Sequence, residues 1–362
     1  MCLSLVFPLQ CTLTMMWLAH RYFHDFFSIT PFAIGETLYI LNSSREIEYS
    51  MYRLHPTTLE LHKINVTCEN FTPSISLSGG IIVVDESRRA VIWEPEEQEL
   101  YVGQEVGSDG FSIRKVATTG ELPESMSGPA HCLYKGKLII QGGITYGRSS
   151  FDPNVPQTGT FELNLETMSW SKLATTARQR VSRALLKMDE QYAAGNLIIG
   201  DKMHAIAKRI TSMQVYRTHF ILDLSTSCWD RVLLKNEMPS QTEIFVHNDA
   251  LYAYGRDNKG EPAFIYKFNE EAQQWDEVHS SSSFNLAITY KRVITAGNRV
   301  YFITTDYFKK GHPTLISVLE MNPTLFDLAA AVLMSSEEGQ EMIEKMLPPT
   351  VREQIVRSDE YE

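Results

Sequence analysis

The sequence predicts an all-β protein, a six-bladed β-propeller with a short C-terminal helical tail. Two repeated patterns predict it. A block made of an apolar strand, a polar turn and a tryptophan recurs at residues 161–170, 220–229 and, one residue longer, 265–275. A short polar turn followed by an apolar run recurs upstream of these blocks. Repeats of this length are typical of stacked four-stranded sheets, which form the blades of a propeller.

Each upstream element has glycine or asparagine in the turn and β-branched or aromatic residues after it, a pattern typical of β-hairpins. The instances are residues 35–41, 136–140, 195–199, 248–254 and 297–303. Two other stretches, 177–188 and 203–215, leave helix and strand both open.

Combining the two patterns gives six units, with the tryptophan on the fourth strand. The predicted units are residues 32–64, 75–116, 131–173, 183–232, 244–278 and 285–321. The sixth unit has no tryptophan of its own, so residues 16–20 are predicted to supply its outer strand and close the ring, which removes exposed sheet edges. The predicted domains are a disordered extension at 1–15, the propeller at 16–322 and the tail at 323–362.

The composition of the chain disfavours several classes of function and location. The net charge of −11 disfavours a general nucleic-acid binder. The five cysteines are scattered without CxxC spacing, which argues for a reducing compartment and against a zinc site. Residues 1–18 are apolar but lack lysine and arginine and are interrupted by Pro8 and Gln10, which disfavours a signal peptide or membrane anchor. A cytoplasmic or nuclear location is expected.

One segment is basic in this acidic chain. Residues 172–217 contain nine lysines and arginines against three acids. Two interpretations stay open, a solvated loop or a basic pocket for an anionic ligand.

The third unit carries a family resemblance. An apolar run ending in a glycine pair (137–143), then an aromatic strand and a tryptophan (161–170), resembles the kelch repeat. The glycine pair is kept only at Gly142 and Gly143. At the equivalent positions elsewhere stand residues 42–43, 85–86, 200–201, 255–256 and 304–305.

The tail contains two helical patterns. Asn322 and Pro323 are a helix start, and an apolar stripe follows at i, i+3, i+4, i+7 and i+8. After an acidic stretch, a second pattern runs over residues 347–355. Two interpretations stay open: the tail packs on the propeller as structural helices, or it docks on a partner.

The tail also resembles two docking boxes. Leu325, Ala329 and Leu333 match the spacing of the Elongin-C-binding box, with Ala329 standing where cysteine is usual. Leu347, Pro348, Val351 and Ile355 match the box that selects cullin-2. With the repeats, the chain resembles the kelch domain-containing substrate receptors of Elongin B/C–cullin-2 ubiquitin ligases.

The resemblance implies a substrate-recognition subunit that captures the C-termini of target proteins and performs no chemistry itself. A free carboxylate requires cations, and arginine suits it because its planar fork binds both oxygens. Arg178, Arg180 and Arg183, between the third and fourth units, are the predicted contacts, with Arg148 and Arg217 behind them.

Two alternative functions remain open from the sequence. The first is a kelch scaffold that binds a partner without ligase coupling. The second is a kelch-type copper oxidase, disfavoured because the ten histidines show no metal spacing. No nucleotide-binding loop is present in the sequence, since the glycine pairs at 79–80 and 142–143 lack its other residues, and no cofactor is predicted.

Overall fold

The computed structural model describes residues 16–23, 28–43, 49–55, 60–69, 80–126, 128–145, 155–156, 159–177, 191–192, 197–210, 215–236, 241–256, 263–281, 290–305 and 314–321. Every regular element in these ranges is a β-strand, which confirms the all-β prediction for this part of the chain. The predicted tail helices at 323–362 and the extension at 1–15 lie outside the described residues.

The first strand of the chain is β1 (Met16–Phe23). Two four-stranded antiparallel meanders follow it, here called units 1 and 2. Unit 1 contains β2 (Ser28–Ile34), β3 (Thr37–Ser43), β4 (Tyr49–Leu54) and β5 (Leu61–Glu69). Unit 2 contains β6 (Ile81–Val84), β7 (Ala90–Glu94), β8 (Glu99–Val106) and β9 (Gly110–Val116). Parallel pairing of β5 with β9 joins them into one eight-stranded sheet.

Unit 3 is built on a meander with two additions. Its strands are β10 (Thr119–Gly120), β11 (Ala130–Tyr134), β12 (Lys137–Gln141), β15 (Thr160–Asn164) and β16 (Ser169–Lys172), and β13 (Ile144–Thr145) pairs with β14 (Val155–Pro156) beside it. Unit 4 contains β17 (Thr176–Ala177), β18 (Gln191–Tyr192), β19 (Ile198–Ile199), β20 (Lys202–Ile210), β21 (Val215–Asp223) and β22 (Cys228–Arg231).

The last two units are four-stranded. Unit 5 contains β23 (Gln241–His247), β24 (Ala250–Arg256), β25 (Ala263–Asn269) and β26 (Gln274–Ser281). Unit 6 contains β27 (Tyr290–Ala296), β28 (Arg299–Thr305) and β29 (Thr314–Glu320), and β1 is its fourth strand. The first and last described strands of the chain therefore pair with each other.

The repeated tryptophans occupy the same position in the strand pairing of their units. Trp170 lies opposite Leu163, Trp229 opposite Leu222 and Trp275 opposite Phe268. In unit 6, Trp17 of β1 lies opposite Leu319 in the same register. β1 thus contributes Trp17 to the sheet that contains β29, although its partner Leu319 lies 302 positions further along the chain.

The same side-chain hydrogen bonds stabilise the turns between the third and fourth strands of units 3 and 4. Asn164 Oδ1 accepts the N–H groups of Glu166 and Thr167 at 2.9 and 3.1 Å, and Asp223 Oδ1 accepts those of Ser225 and Thr226 at the same distances. These side chains replace the ladder partners that the turn lacks. Met168, Ser227 and Gln273, which end the turns, have positive φ.

Hydrophobic clusters join each unit to the next. The pairs in them are Tyr39 with Phe111 (units 1 and 2), Trp93 with Trp170 (2 and 3), Cys132 with Trp229 (3 and 4), Ile206 with Trp275 (4 and 5), Ile265 with Phe302 (5 and 6) and Tyr301 with Leu38 (6 and 1). Because the last cluster returns to unit 1, the core runs in a cycle and the sheets form a closed, propeller-like ring.

A backbone hydrogen bond recurs at the rim of this ring. In each case the donor N–H belongs to a residue that follows the paired part of one meander's fourth strand, and the acceptor is the last residue of the turn between the third and fourth strands of the next meander. The pairs are Asn65 to Asp109, Thr119 to Met168, Thr176 to Ser227 and Lys235 to Gln273, at 2.9–3.1 Å. Neighbouring units are therefore joined by hydrogen bonds as well as by packing.

Two local predictions are wrong. Residues 195–199 were predicted as a hairpin turn followed by the second strand of the unit. Their described part does contain a strand, β19, but β19 comes before the turn at Gly200 and Asp201 and so precedes β20 in the hairpin. Likewise, residues 85–86 belong to the turn between the first and second strands of unit 2, not to the end of a second strand. In both units, residues expected at the end of the second strand, 85–86 and 200–201, instead belong to the turn before that strand. The ambiguous stretch at 203–215 is strand in its described part.

Candidate binding site at the loop end of the ring

The meander topology gives the ring two different ends. Short turns join the first to the second strand and the third to the fourth, and they define the turn end. Connections between the second and third strands, and between units, define the loop end. Loops held by a rigid scaffold are the usual place for binding residues, so the loop end is the first place to search.

Buried polar side chains collect at the loop end of the inner strands. They stand where first and third strands begin and where second strands finish: Thr30, Asn42, Glu94, His131, Gln141 and Thr160. Burial of a polar group costs free energy unless it finds a partner, so a layer of such groups is informative about function.

His131 and Arg292 are electrostatically coupled although they lie on β11 and β27, in units 3 and 6. Burial, together with the positive charge of Arg292, lowers the pKa of His131 to about 4, although a hydrogen bond with the Pro129 carbonyl acts to raise it. His131 is therefore a neutral imidazole at physiological pH.

Gln141 and Thr160 form a second polar contact, in which the Thr160 hydroxyl donates to Gln141 Oε1. They lie opposite each other on β12 and β15. Gly142 and Gly143, which follow, have φ values of +67° and +99°. The glycine pair identified in the sequence thus turns the chain away from β12 in a conformation that favours glycine.

Glu94 ends β7 at the same end of the ring. Its side chain is only 3% exposed. Burial raises the pKa of this carboxyl to about 7, a hydrogen bond from the Glu96 N–H opposes the shift, and the charges of Glu96, Glu97 and Glu99 add to it. A carboxyl that titrates near neutrality is a marker of functional sites.

The predicted site residues can now be placed. Arg178, Arg180 and Arg183 belong to the connection between β17 and β18, outside the described residues. Leu325, Ala329, Leu333, Leu347, Pro348, Val351 and Ile355 also lie outside them. These assignments stay predictions. Arg217 is on β21, opposite Lys208.

Sequence reasoning missed Arg292, His131 and Glu94. His131 and Glu94 stand in short strands whose other residues are mostly apolar, and a titratable residue in or at the end of such a strand was the available signal. Arg292 follows Lys291 on β27, so no such signal marks it. The sequence could not show that Arg292 and His131 influence each other, because they are 161 positions apart. An arginine whose charge acts on a buried, neutral imidazole can hold an anion such as a carboxylate.

The described residues lack a metal-binding cluster and a membrane-spanning helix. No group of three or more histidine, cysteine, aspartate or glutamate side chains there is arranged to hold a metal ion. No helix long and apolar enough to cross a membrane is found among them.

Comparison with known proteins adds the fold. No protein-family model matches the chain, and no curated protein is significantly similar to it in sequence. Solved structures do match, 485 chains in all. One, titled "Structure of YjhT", has a TM-score of 0.50 and 16% identity and covers 82% of this chain and 94% of its own. At this identity the likeness concerns the fold alone. With the cyclic core described above, it identifies the chain as a β-propeller.

Proposed function

We propose that this chain is a non-enzymatic protein-interaction module that serves as the substrate-recognition subunit of a cullin-2 ubiquitin ligase. A β-propeller is consistent with the interaction role. The ligase role rests on the two tail boxes and on the resemblance to kelch domain-containing receptors.

The observation that carries the proposal is the position of the last strand. β29 pairs with β28 on one edge and β1 on the other, and all its side chains are buried. Both boxes follow it in the chain, so the described strands complete the ring before the boxes begin. An adaptor-binding tail is compatible with a propeller completed in this way.

The proposal includes six kelch-type blades. Units 1 to 6 and the clusters between them support this count. It also includes a cytoplasmic or nuclear location, since the free cysteines described in the structure suit a reducing compartment.

The tail is proposed to dock as amphipathic helices, with Leu325, Ala329 and Leu333 on Elongin C and with Leu347, Pro348, Val351 and Ile355 on cullin-2. Apolar anchors at i, i+4 and i+8 suit a helix in a groove. Alanine in place of the usual cysteine leaves part of a small pocket empty, which would weaken the first contact.

Affinity purification of the full chain from cells tests the ligase role. Wild type should co-purify Elongin B/C and cullin-2, and Leu325→Asp should lose both. Leu347→Asp should keep Elongin B/C and lose cullin-2. Leu233→Asp is the matched control, because Leu233 is 60% exposed outside the tail. Purification of wild type without Elongin B/C would favour the scaffold alternative, in which partner binding survives deletion of residues 322–362.

The propeller is proposed to hold target C-termini at its loop end, through Arg178, Arg180 and Arg183 and with Arg292 at the axis. A peptide library with free C-terminal carboxylates should bind, and the amidated library should not. Replacing Arg178, Arg180 and Arg183 together by alanine should abolish binding, and unchanged binding would end their assignment.

A further inference from the structure

Two segments of the chain meet at the loop end between units 2 and 3. The turn at 95–98 follows β7, and the linker at 121–126 runs past it. Three hydrogen bonds join them: Gln98 Nε2 donates to the Pro123 carbonyl, Ser125 Oγ to the Glu96 carbonyl at 2.9 Å, and the Met126 N–H to the Pro95 carbonyl at 3.3 Å. The turn and the linker therefore form one fixed surface.

This surface is strongly acidic. Residues 94–99 and 121–126 contain six glutamates and neither lysine nor arginine. Glu99 forms an ion pair with Lys115 of β9. The other five are called the acidic rim here: Glu94, Glu96, Glu97, Glu121 and Glu124. All of these except Glu94 are exposed.

Glu94 gives an independent reason to expect a ligand. Its carboxylate accepts the Glu96 N–H, so it points at the turn, and its Oε2 has no hydrogen-bond partner among the described residues. A buried carboxylate oxygen without a partner is costly, and negative neighbours increase the cost. A cationic group at this position would donate a hydrogen bond to Glu94 Oε2, and its positive charge would offset the negative charge of the carboxylates.

We propose that the acidic rim binds arginine or lysine side chains of an extended basic segment in a partner protein, with Glu94 holding the innermost cationic head group. The carboxylates are spread along two segments, which suits several side chains in a row. Leu122, beside the exposed glutamates, offers apolar surface to the aliphatic stems of such side chains. The proposal does not depend on the ligase assignment.

The probe is a fluorescein-labelled peptide with four arginines alternating with serines and an amidated C-terminus. Its control replaces each arginine by citrulline, which keeps the shape and removes the charge. Amidation excludes binding through a terminal carboxylate, so the result is independent of the target C-terminus test. In fluorescence anisotropy with the full chain, the arginine peptide should bind and the citrulline peptide should not. Failure of the arginine peptide to bind would overturn the proposal.

Matched variants locate the site. The double variant Glu96→Gln/Glu97→Gln should weaken binding by about fivefold or more. Glu166→Gln/Glu271→Gln makes the same change in net charge at two exposed turn-end glutamates and should leave binding unchanged. Equal weakening by both pairs would mean a general attraction to an acidic protein and would refute the site.

The pH dependence of peptide binding tests the role of Glu94. Because a bound cation favours the ionised carboxyl, wild-type affinity should rise between pH 6 and pH 8. In Glu94→Gln that rise should be lost while the thermal transition confirms folding. A rise that persists in Glu94→Gln would remove Glu94 from the site.

Discussion

The side-chain amide of Asn236 forms two hydrogen bonds with the backbone of Trp275. Its Nδ2 donates to the Trp275 carbonyl at 2.7 Å, and its Oδ1 accepts the Trp275 N–H at 2.9 Å. Asn236 follows the outer strand of unit 4, and Trp275 lies on the outer strand of unit 5. At the two preceding interfaces, the backbones of β10 and β17 occupy the corresponding place beside β16 and β22. One amide here replaces a short strand.

Replacing Asn236 by alanine should therefore loosen the contact between units 4 and 5. Two part-buried backbone groups lose their partners, which should lower the free energy of unfolding by about 1–3 kcal/mol. Urea denaturation measures the change. Asn236→Asp keeps the acceptor and loses the donor, so it should fall between alanine and wild type. Equal stability of all three proteins would contradict the role.

Gly120 should not tolerate alanine. Its φ is +88°, and a Cβ there would lie 2.0 Å from the Trp170 carbonyl oxygen. Gly136 also has a positive φ, of +72°, but open space around it, so Gly136→Ala carries the backbone strain without the clash. Gly120→Ala should lower the melting temperature clearly more than Gly136→Ala. Equal effects would mean that β10 does not approach β16 so closely.

His204 and His219 should make the protein sensitive to acid. They share a 2.9 Å hydrogen bond in the interior, where burial lowers the pKa of His204 to about 4 and that of His219 well below its ordinary value. The unfolded chain takes up protons below pH 6.5 that the folded chain refuses. Their stabilisation is complete above pH 6.5 and falls by about 1.4 kcal/mol per pH unit for each group as the pH drops towards 4.

The double variant His204→Asn/His219→Asn tests this pH dependence. Asparagine keeps a polar contact and does not titrate, so the slope of unfolding free energy between pH 6.5 and 4.5 should become shallower. A double variant with the wild-type slope would assign acid sensitivity to other groups.

Glu94 should act in the opposite direction. Its folded pKa of about 7 is raised, so the folded chain holds a proton between pH 4.5 and 7 that the unfolded chain releases. Stability from this group is full below pH 4.5 and is lost as the pH rises to 7. Glu94→Gln should stabilise the protein by about 1–3 kcal/mol at pH 8 and change little at pH 4.5. A shift of the melting temperature that is equal at both pH values would contradict this.

Removal of β1 should open the ring. β29 is fully buried and pairs with β1 along its length. Deletion of residues 1–23 should expose that edge and yield aggregated protein, whereas deletion of residues 1–15 should yield a monomer with the wild-type melting temperature. Size-exclusion chromatography and thermal denaturation distinguish the two outcomes. A stable monomer without β1 would show that closure does not require it.

Much of the fold was predictable because its patterns are local. The tryptophan blocks placed β15, β16, β21, β22, β25 and β26, since strand, turn and strand lie within about ten residues. The order of the strands around residues 195–199 was predicted wrongly because Gly195 and Asn196 resemble a hairpin turn in the sequence, whereas β19 pairs with β20 across Gly200 and Asp201. Strand order within unit 2 was obscured likewise, as Phe111 takes the position that tryptophan holds elsewhere.

The site was less predictable. Arginines were sought in the basic segment because charge density is visible in sequence. Arg292 was not predicted because nothing in the sequence distinguishes it from Lys291 beside it or links it to the distant His131. Glu94 was not predicted because burial, not residue type, raises the pKa of its carboxyl.

By itself, the sequence determined the strands and the repeat, because hairpin turns and alternating side chains depend on neighbouring residues. It also supplied the prediction that residues 16–20 complete the last sheet. Only the tertiary structure decided which polar residues meet. Closing the ring brings His131 to Arg292 and folds the linker at 121–126 onto the turn at 95–98. Burial and proximity of distant residues set the charge of each group, and neither can be read from its position in the chain.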